Sequence, residues 1–425
     1  MRRNKQENNV VQKCNTPVKP ERKLSPIYIV LAVLACLAIA LVLVLVLPDN
    51  DPSPTPAVTT TAPPITTAPP VTTAPPAPIE PAPSPSQGLA FTSNGDGTCY
   101  VSGIGSCADT ELVIPSVSPD GDTVTGIADG AFWGCTSLTS IAIPEGVTSI
   151  GDDAFCRCSS LTSITIPEGV TTIGDWTFYH CTSLTSIAFA EGSQLTTIGE
   201  YAFSNCSSLT SISIPDTVTT IGQEAFYECT SLTSISIPEG VTSIGTSAFS
   251  HCSLLTSIAF AEGSHLTTIG YDAFYYCTSL TEIIIPEGVT TIGDHAFYSC
   301  DSLTSVTIPE GVTTIGRYAF SGCTSLTSIS IPDTVTTIGE YAFAYCTSLT
   351  SVTIPEGVTT IGQEAFYYCT SLTSISIPDT VTTIGRYAFY YCTSLTSVTI
   401  PEGVTTISDW AFGGCASLTE VSEVP

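Results

Sequence analysis

Basic side chains are scarce in most of the chain. Of its 425 residues only ten are Lys or Arg, and seven of those lie in the first 26 positions. Asp and Glu number 38, so the whole chain carries a net charge of −28. Because phosphate binding requires a basic surface, this composition argues against nucleic acid as a partner. It is typical of a soluble surface whose charges repel one another.

Groups for catalysis are equally scarce. The four histidines, His180, His251, His265 and His295, are too dispersed to share a metal ion or relay a proton, and we interpret them as surface substitutions. The chain contains no nucleophile elbow, phosphate-binding loop or HExxH motif. A catalytic site needs several different residues made unique by position, which a repeated sequence hardly offers. We therefore expect no enzyme, no metal site and no cofactor.

An apolar segment near the start of the chain predicts a membrane anchor. Residues 27–47 carry no charge, and a helix of that length, at about 1.5 Å per residue, crosses the hydrocarbon core of a bilayer. Basic residues precede the segment and acidic residues follow it, which places the basic tail at residues 1–26 in the cytoplasm. The alternatives are a cleaved signal peptide or lipoprotein cleavage at Cys36, but the length favours an uncleaved transmembrane signal anchor. We predict a single-pass protein of the cell membrane with the rest of the chain outside the cell.

A proline-rich segment follows the predicted anchor. Residues 48–87 are rich in Pro, Thr and Ala and repeat the sequence TTAPP. Because they have no apolar periodicity, they cannot form a packed core. Proline favours the extended polyproline II conformation, whose rise of ~3.1 Å per residue gives a reach on the order of 100 Å. The composition predicts a disordered stalk with threonines suited to O-glycosylation.

The rest of the chain is a repeat marked by cysteines. Ten of the twelve intervals between them are 23 residues, and the other two, which contain AFAEGSQL and AFAEGSHL, are 25 residues. The cysteines are Cys135, Cys158, Cys181, Cys206, Cys229, Cys252, Cys277, Cys300, Cys323, Cys346, Cys369, Cys392 and Cys415. A fixed period in this range predicts a solenoid. We interpret these cysteines as a column of buried thiols rather than as a disulfide framework or a metal site.

One unit shows how the repeat folds. Leu349, Val352 and Ile354 alternate as in a short strand, and Pro355 ends that strand because it cannot donate to a ladder. A second, less regular arm completes the unit. Stacked units bury their apolar side chains against one another, with equivalent strands in a parallel sheet. The fold class is therefore a β-rich repeat solenoid, with about 13 units over residues 135–425.

Residues 88–134 precede the regular repeats, and we predict that they form an N-terminal cap with an irregular first unit. The sequence Asn94-Gly95-Asp96-Gly97 is a favourable hairpin turn. Cys99 and Cys107 lie outside the regular spacing, and we consider them a candidate disulfide. Cys156 is an extra cysteine within the repeats, and we expect it to be exposed.

The repeat motif supports a comparison with a known family. The pattern LxxIxIPxxVxxIGxxAFxxC, at Leu161–Cys181 and again at Leu349–Cys369, resembles the repeat of the BspA-like bacterial surface leucine-rich repeat proteins. The resemblance covers about residues 110–425. It implies a right-handed, curved leucine-rich repeat solenoid with its parallel sheet on the concave face. It also implies cell-surface binding or adhesion rather than catalysis, although a fold does not fix a function.

Tyrosines are the candidate binding residues. Eleven of the 17 lie on three positions around the Ala-Phe pair of successive units. They are Tyr275, Tyr276, Tyr298, Tyr318, Tyr341, Tyr345, Tyr367, Tyr368, Tyr387, Tyr390 and Tyr391. Stacking predicts that these rings form an aromatic band, and tyrosine offers a large contact area with a polar tip. The alternative is that the rings only shield the phenylalanine layer.

Two other surfaces are weaker candidates. Side chains between the inward-facing strand positions are small or hydroxylated in nearly every unit, and Glu282 and Ile284 depart from this pattern. One acidic residue follows the strand in twelve successive units, from Glu145 to Glu402. Such a stripe suits solvated turns better than Ca²⁺, which takes about 6–8 oxygen ligands.

These features together predict a membrane-anchored cell-surface protein. Its expected partner is an extracellular protein or glycan, and adhesion to host or neighbouring cells is the specific form of the hypothesis. The alternative is a passive structural spacer of the cell envelope without a specific ligand. Residues that vary between units are the candidates for recognition, because the invariant ones are needed for stacking.

Overall fold

The structure, a computed structural model, describes residues 84–423, with side chains described as far as residue 420. The predicted tail at residues 1–26, the predicted signal anchor at residues 27–47 and most of the predicted stalk lie outside this range. Within the described range, no helix is long and apolar enough to cross a membrane. The described residues comprise the cap and the repeats.

Nearly every repeat contributes two short strands, which form two stacks along the solenoid; the unit at residues 207–229 contributes only a strand of the second stack. The first stack follows the Leu-x-x-Ile-x-Ile motif, as predicted, and divides into five small parallel sheets. Its strands are β3 (Glu111–Val113), β5 (Ser140–Ala142), β7 (Ser163–Ile166), β9 (Ser186–Phe189), β12 (Ser234–Ile237), β14 (Ser257–Phe260), β16 (Glu282–Ile284), β18 (Ser305–Thr307), β20 (Ser328–Ile329), β22 (Ser351–Thr353), β24 (Ser374–Ser376), β26 (Ser397–Ile400) and β28 (Glu420–Glu423). In β22 and β24, for example, the second residue is buried between exposed neighbours, as expected of a strand with one face on the core.

The second stack forms one sheet of 15 strands. Its strands are β1 (Ala90–Ser93), β2 (Thr98–Gly103), β4 (Thr123–Ile127), β6 (Ser149–Ile150), β8 (Thr172–Ile173), β10 (Thr197–Ile198), β11 (Thr220–Ile221), β13 (Ser243–Ile244), β15 (Thr268–Ile269), β17 (Thr291–Ile292), β19 (Thr314–Ile315), β21 (Thr337–Ile338), β23 (Thr360–Ile361), β25 (Thr383–Ile384) and β27 (Thr406–Ile407). The second arm, predicted to be less regular, contains only a two-residue strand in each unit, but these strands pair continuously along the solenoid. A two-residue strand shows no alternation within one unit, and its pairing arises only when units stack.

The cap starts both stacks. β1 and β2 form an antiparallel hairpin around the predicted turn, in which Gly95 and Gly97 have φ angles of 80° and 87°. β2 pairs in parallel with β4 and so begins the second stack. Ser86, at the end of the predicted stalk, is buried and makes two hydrogen bonds with Val113 of β3, at 2.9 and 3.1 Å. The folded domain therefore includes residues before position 88.

A column of phenylalanines runs through the core. Thirteen rings, beginning with Phe132, stack with centroids 5.2–5.5 Å apart. The repeat cysteines lie beside them: Cys300 Sγ is 3.3 Å from the carbonyl oxygen of Phe274, and the same contact recurs along the array. These thiols are buried except at the ends of the column, where Cys135 and Cys415 are half-buried. The cysteines thus form the buried column that their spacing predicted.

Hydroxyl groups also join successive units. Thr304 Oγ1 donates to the carbonyl oxygen of Thr281 at 3.0 Å, and equivalent threonines repeat the bond. Each bond uses a lone pair of a carbonyl oxygen at the edge of a unit, so the hydroxyl adds to the contact between neighbouring units. These repeated threonines therefore have a structural role.

Candidate functional site

The predicted binding tyrosines lie on a turn that recurs in every unit. We call the surface that carries them the aromatic side. It consists of the four residues that flank each Ala-Phe pair, which in one unit are Gln363, Glu364, Tyr367 and Tyr368. The second and fourth have positive φ angles, 54° at Glu364 and 59° at Tyr368. The amide of Tyr368 donates to the carbonyl oxygen of Tyr390 at 2.8 Å, so this turn is held against the equivalent turn of the next unit.

Five of the eleven predicted tyrosines form a first aromatic cluster, together with three residues that the sequence analysis did not select. Its members are Tyr275, Tyr276, Tyr298, Tyr318 and Tyr341, with His251, Tyr271 and His295. Tyr275 stacks on Tyr298 with ring centroids 5.0 Å apart. Tyr318 stacks on His295 at 5.0 Å and on Tyr341 at 4.4 Å. Ring contacts of this kind contribute about 0.5–1.5 kcal/mol each beyond the area they bury.

A cavity of about 370 Å³ opens within the first aromatic cluster. It is lined by Tyr271, Asp272, Tyr275, His295, Tyr298 and Tyr318. Asp272 Oδ1 and His295 Nδ1 lie 3.3 Å apart, and both atoms are buried without a hydrogen bond of good geometry. The ring of Tyr271 is 47% exposed. The cavity therefore offers ring surfaces beside polar atoms with unused hydrogen-bonding capacity, which is the usual make-up of a ligand pocket.

Burial sets the protonation of the polar pair. It raises the pKa of Asp272 to about 6, and the nearby carboxylate of Asp294 adds to that increase. Burial also lowers the pKa of His295, with Asp294 opposing the shift and Arg317 adding to it. Each shift disfavours the charged form of its group. At pH 7 the cavity therefore presents an ionised carboxyl group beside a neutral imidazole.

The other six predicted tyrosines form a second aromatic cluster with Trp410. They are Tyr345, Tyr367, Tyr368, Tyr387, Tyr390 and Tyr391. Tyr368 stacks on Tyr345 at 5.6 Å and on Tyr391 at 4.8 Å. Tyr345 and Tyr391 are 47% and 39% exposed, so this cluster presents aromatic surface to solvent.

The predicted tyrosines are thus brought together, but in two clusters rather than in one continuous band. Between the clusters, one unit has Ser321 and Gly322, whereas the preceding unit carries Tyr298 at the first of these positions and the following unit carries Tyr345 at the second. Glu364 then occupies a position that is tyrosine in several other units. Tyr341 Oη donates to Glu364 Oε1 at 2.7 Å, so a hydrogen bond replaces a ring stack there.

Two arginines border the clusters. Arg317 lies over the ring of Tyr318, 5.3 Å from its centroid, and pairs with Glu340 at 3.3 Å. Arg386 lies 4.7 Å from the centroid of Tyr387 and donates from Nη2 to the hydroxyl group of the same residue at 3.1 Å. Exposed contacts between a cation and a ring contribute about 0.5–1 kcal/mol each. They help to orient the two rings.

Sequence reasoning missed several members of these clusters. The interpretation of the histidines as surface substitutions left out their ring contacts: the half-buried His295 stacks on Tyr318, and His251 stacks on Tyr276 at 5.2 Å. Asp272 and Trp410 were also missed. All four occupy the four positions that flank the Ala-Phe pair. Examination of those positions for any aromatic or ionisable residue would have found them.

The cap does not contain the candidate disulfide, because Cys99 and Cys107 are free thiols. Cys99 lies on β2 with its side chain buried, and its Sγ faces the carbonyl oxygen of Asp122 at 3.7 Å. The strand therefore directs this thiol into the core. Cys156, which we expected to be exposed, is also buried, so that prediction is wrong.

Acidic residues are the remaining candidate ligands. No group of three or more His, Cys, Asp and Glu side chains within residues 84–423 is placed to hold a metal ion. Acids of the stripe, such as Glu287 and Glu310, are exposed on the turns that follow the strands. Their exposure is what solvated turn residues show.

The repeats are similar to those of known bacterial proteins. The family described as BspA type leucine-rich repeat region matches residues 110–208, 196–327 and 313–423. A leucine-rich repeat protein from Bacteroides ovatus is 32% identical, with a TM-score of 0.65, and the match covers 78% of this chain and 86% of that one. A leucine-rich cell surface protein from Faecalibacterium prausnitzii is 31% identical, with a TM-score of 0.50, over 82% of this chain and 96% of that one. The comparison with curated proteins gave no match.

Stacked units with a shared core of Leu, Ile, Phe and Cys define a leucine-rich repeat solenoid. The family match spans most of the chain, so this protein belongs to the BspA-type leucine-rich repeat family, and the resemblance read from the sequence is confirmed. The fold is a parallel β-solenoid of about 13 turns. Leucine-rich repeat proteins are typically binding scaffolds, and no catalytic family is indicated for this chain.

Proposed function

We propose that this protein acts at the cell surface and binds an extracellular protein or glycan through its aromatic side. The observation that carries the proposal is the concentration of aromatic rings in the two aromatic clusters. Tyr and Trp supply large contact areas at low cost in conformational entropy, and they are enriched at binding hot spots. The first aromatic cluster adds a cavity with a carboxylate and an imidazole, which suits the hydroxyl groups of a sugar or the polar groups of a peptide.

The proposed location rests on the sequence and on one relative. Residues 27–47 have the length and composition of a transmembrane signal anchor, and residues 48–87 have those of an extended stalk. The neighbour from Faecalibacterium prausnitzii is described as a cell surface protein. In this arrangement the stalk holds the repeats away from the membrane, where a ligand on another cell can reach them.

A passive spacer of the cell envelope is the second candidate. Such a role requires only the stacked core and gives no reason for exposed rings. Tyr276, Tyr345, Tyr391 and Trp410 are 38%, 47%, 39% and 63% exposed, and all four belong to the aromatic clusters. Contiguous exposed aromatic surface commonly marks a site of interaction. This distribution favours binding.

The test compares the full chain, in a mild detergent, with two cluster variants on an array of glycans and extracellular matrix proteins. Tyr275→Ser/Tyr298→Ser/Tyr318→Ser alters the first aromatic cluster, and Tyr387→Ser/Tyr390→Ser/Tyr391→Ser alters the second. We expect saturable binding to at least one spot and a loss of tenfold or more in one variant, about 1.4 kcal/mol.

A control carries Tyr100→Ser, which lies in the cap outside the aromatic side, and circular dichroism checks the fold of every variant. Equal binding by all variants would show that the clusters are not the site. The absence of any saturable binding would favour the passive spacer.

A further inference from the structure

The two 25-residue units open cavities in the strand face, which we define as the outward-pointing side chains of the first stack. One cavity, of about 500 Å³, lies between Phe189 and the segment that follows it in the stack. The other, of about 590 Å³, lies between β14 and β16. No ladder joins β14 to β16, and the two extra residues lengthen the connection between them at residues 261–264. A cavity of this size is within the usual range of ligand pockets, about 300–1,000 Å³.

The cavity between β14 and β16 has side chains that its counterpart lacks. Glu282 and Ile284 point outward from β16 on either side of the buried Ile283. Ile284 is 70% exposed, beside the half-buried Phe260. The corresponding residues of the other unit are serines, Ser211 and Ser213. Between β5 and β26, only β16 departs from small outward residues at these two positions, whereas at the ends of the stack β3 carries Glu111 and Val113 and β28 carries Glu420.

The charge of this cavity is negative. Glu282 and Glu287 line it together with the apolar surfaces of Phe260 and Ile284. Arg157, Arg317 and Arg386 are the basic residues of the described range, and none of them lines the cavity. An occupant must therefore supply both the positive charge and the apolar surface. Long basic side chains do so, because their methylene stems pack on apolar groups while the charged end stays polar.

We propose that the cavity between β14 and β16 binds an extended segment of a partner protein in which basic residues alternate with apolar ones. The stem of a Lys or Arg, or a neighbouring apolar side chain, packs on Phe260 and Ile284. The cationic end lies near Glu282 and Glu287, where it makes a charge-assisted hydrogen bond. The site uses none of the tyrosines of the aromatic side. The peptide site can therefore be tested independently of the binding proposed for the aromatic side.

The test measures fluorescence anisotropy of three labelled peptides, Val-Lys-Val-Lys-Val-Lys, Val-Glu-Val-Glu-Val-Glu and Gly-Lys-Gly-Lys-Gly-Lys, against the full chain in a mild detergent at physiological salt. The variant Glu282→Ser/Ile284→Ser restores residues that other units carry, so it is expected to fold. The control Ser305→Ala/Thr307→Ser changes the same positions on β18, the paired neighbour of β16.

The Val-Lys peptide is expected to bind the native chain at least tenfold more tightly than either other peptide. The Glu282→Ser/Ile284→Ser variant is expected to bind the Val-Lys peptide at least tenfold more weakly than the native chain does. The control is expected to bind it like the native chain. Three results would overturn the proposal: equal binding by the variant, equal binding of the Gly-Lys or Val-Glu peptide, or no saturable binding of any peptide.

A gain of function provides an independent check. Ser211→Glu/Ser213→Ile places the same two side chains at the equivalent cavity beside Phe189. We expect the stoichiometry of Val-Lys peptide binding to rise from one to two per chain. Unchanged stoichiometry would contradict the assignment of recognition to this pair of side chains.

Discussion

The rings of Tyr368 and Tyr391 stack with centroids 4.8 Å apart and 10° between their planes, although the residues are separated by a full repeat. Both residues have left-handed backbone conformations, with φ angles of 59° and 60°. A conformation that is unusual for a bulky residue is thus used in consecutive units. It directs the ring along the outside of the turn, next to the ring of the next unit.

The left-handed backbone conformation of Tyr368 can be tested by a pair of substitutions. Valine is poorly tolerated at positive φ, so Tyr368→Val loses ring contacts and also gains backbone strain. Tyr367→Val loses comparable ring contacts at a neighbouring residue without positive φ. We expect Tyr368→Val to lower the free energy of unfolding by about 1 kcal/mol more than Tyr367→Val. Urea unfolding measures both, and equal losses would contradict a left-handed conformation at Tyr368.

The close contact between units predicts that a glycine at this contact cannot be replaced by alanine without loss of stability. A Cβ atom on Gly245 would lie 2.6 Å from the carbonyl oxygen of Gly222 in the preceding unit. Backbone atoms cannot move aside as a flexible side chain can, so Gly245→Ala is expected to destabilise the fold by about 1–3 kcal/mol. Gly146 is the matched control, because its Cβ would meet no atom closer than 3.6 Å. Similar unfolding curves for Gly245→Ala and Gly146→Ala would contradict the spacing of the units.

Much of the fold is predictable because each inward-facing position repeats. Leu349, Val352, Ile354 and Phe366 recur with the period of the unit, and all of them are buried as the pattern indicates. The continuous second sheet was not predictable in the same way. Thr-Ile pairs such as Thr360 with Ile361 are too short to show strand periodicity, and their ladder exists only between units.

The candidate site was only partly predictable. The tyrosines could be selected because one residue type recurs at the same three positions of successive units. His295 and Asp272 lie at the same flanking positions, but the cavity they line cannot be predicted from one unit, because its walls come from three successive units. The division into two clusters depends on single departures from the repeat, such as Glu364, whose effect emerges from contacts between units.

The thiol column predicts a pattern of reactivity. Burial raises the pKa of Cys300 and of the other thiols inside the column, which keeps them protonated and away from reagents. Among the described cysteines, iodoacetamide at pH 8 should modify Cys107, Cys135 and Cys415 first, because these are half-buried. Peptide mass spectrometry identifies the modified sites, and a sample in denaturant provides the fully reactive control. Rapid modification of Cys300 in the native chain would contradict the buried column.

Asp272 predicts a pH dependence of stability. Its pKa is raised to about 6 in the folded protein, so the folded state holds a proton that the unfolded state releases near pH 4. The contribution of this residue to the free energy of unfolding therefore falls as the pH rises from about 4 to about 6. Asp272→Asn removes this pH dependence. As the pH rises over that range, the free energy of unfolding of the variant should therefore increase by about 1 kcal/mol relative to that of the native chain, after allowance for solvent screening.

Urea unfolding at pH 4, 5, 6 and 7 measures the difference between Asp272→Asn and the native chain. Asp120→Asn, on an exposed turn of the cap, removes the same charge elsewhere and serves as the control. A constant difference across these pH values would show that burial does not raise the pKa of Asp272.

Tyrosine nitration is the most direct measurement of whether the aromatic side binds a ligand. The full chain is treated with tetranitromethane alone and when bound to a glycan or matrix protein that it recognises on the array. Mass spectrometry then reports each tyrosine. We predict that the exposed Tyr276, Tyr345 or Tyr391 loses most of its reactivity in the complex, whereas Tyr100 of the cap keeps its own. Unchanged nitration of all three exposed tyrosines in a saturated complex would contradict binding through the aromatic side.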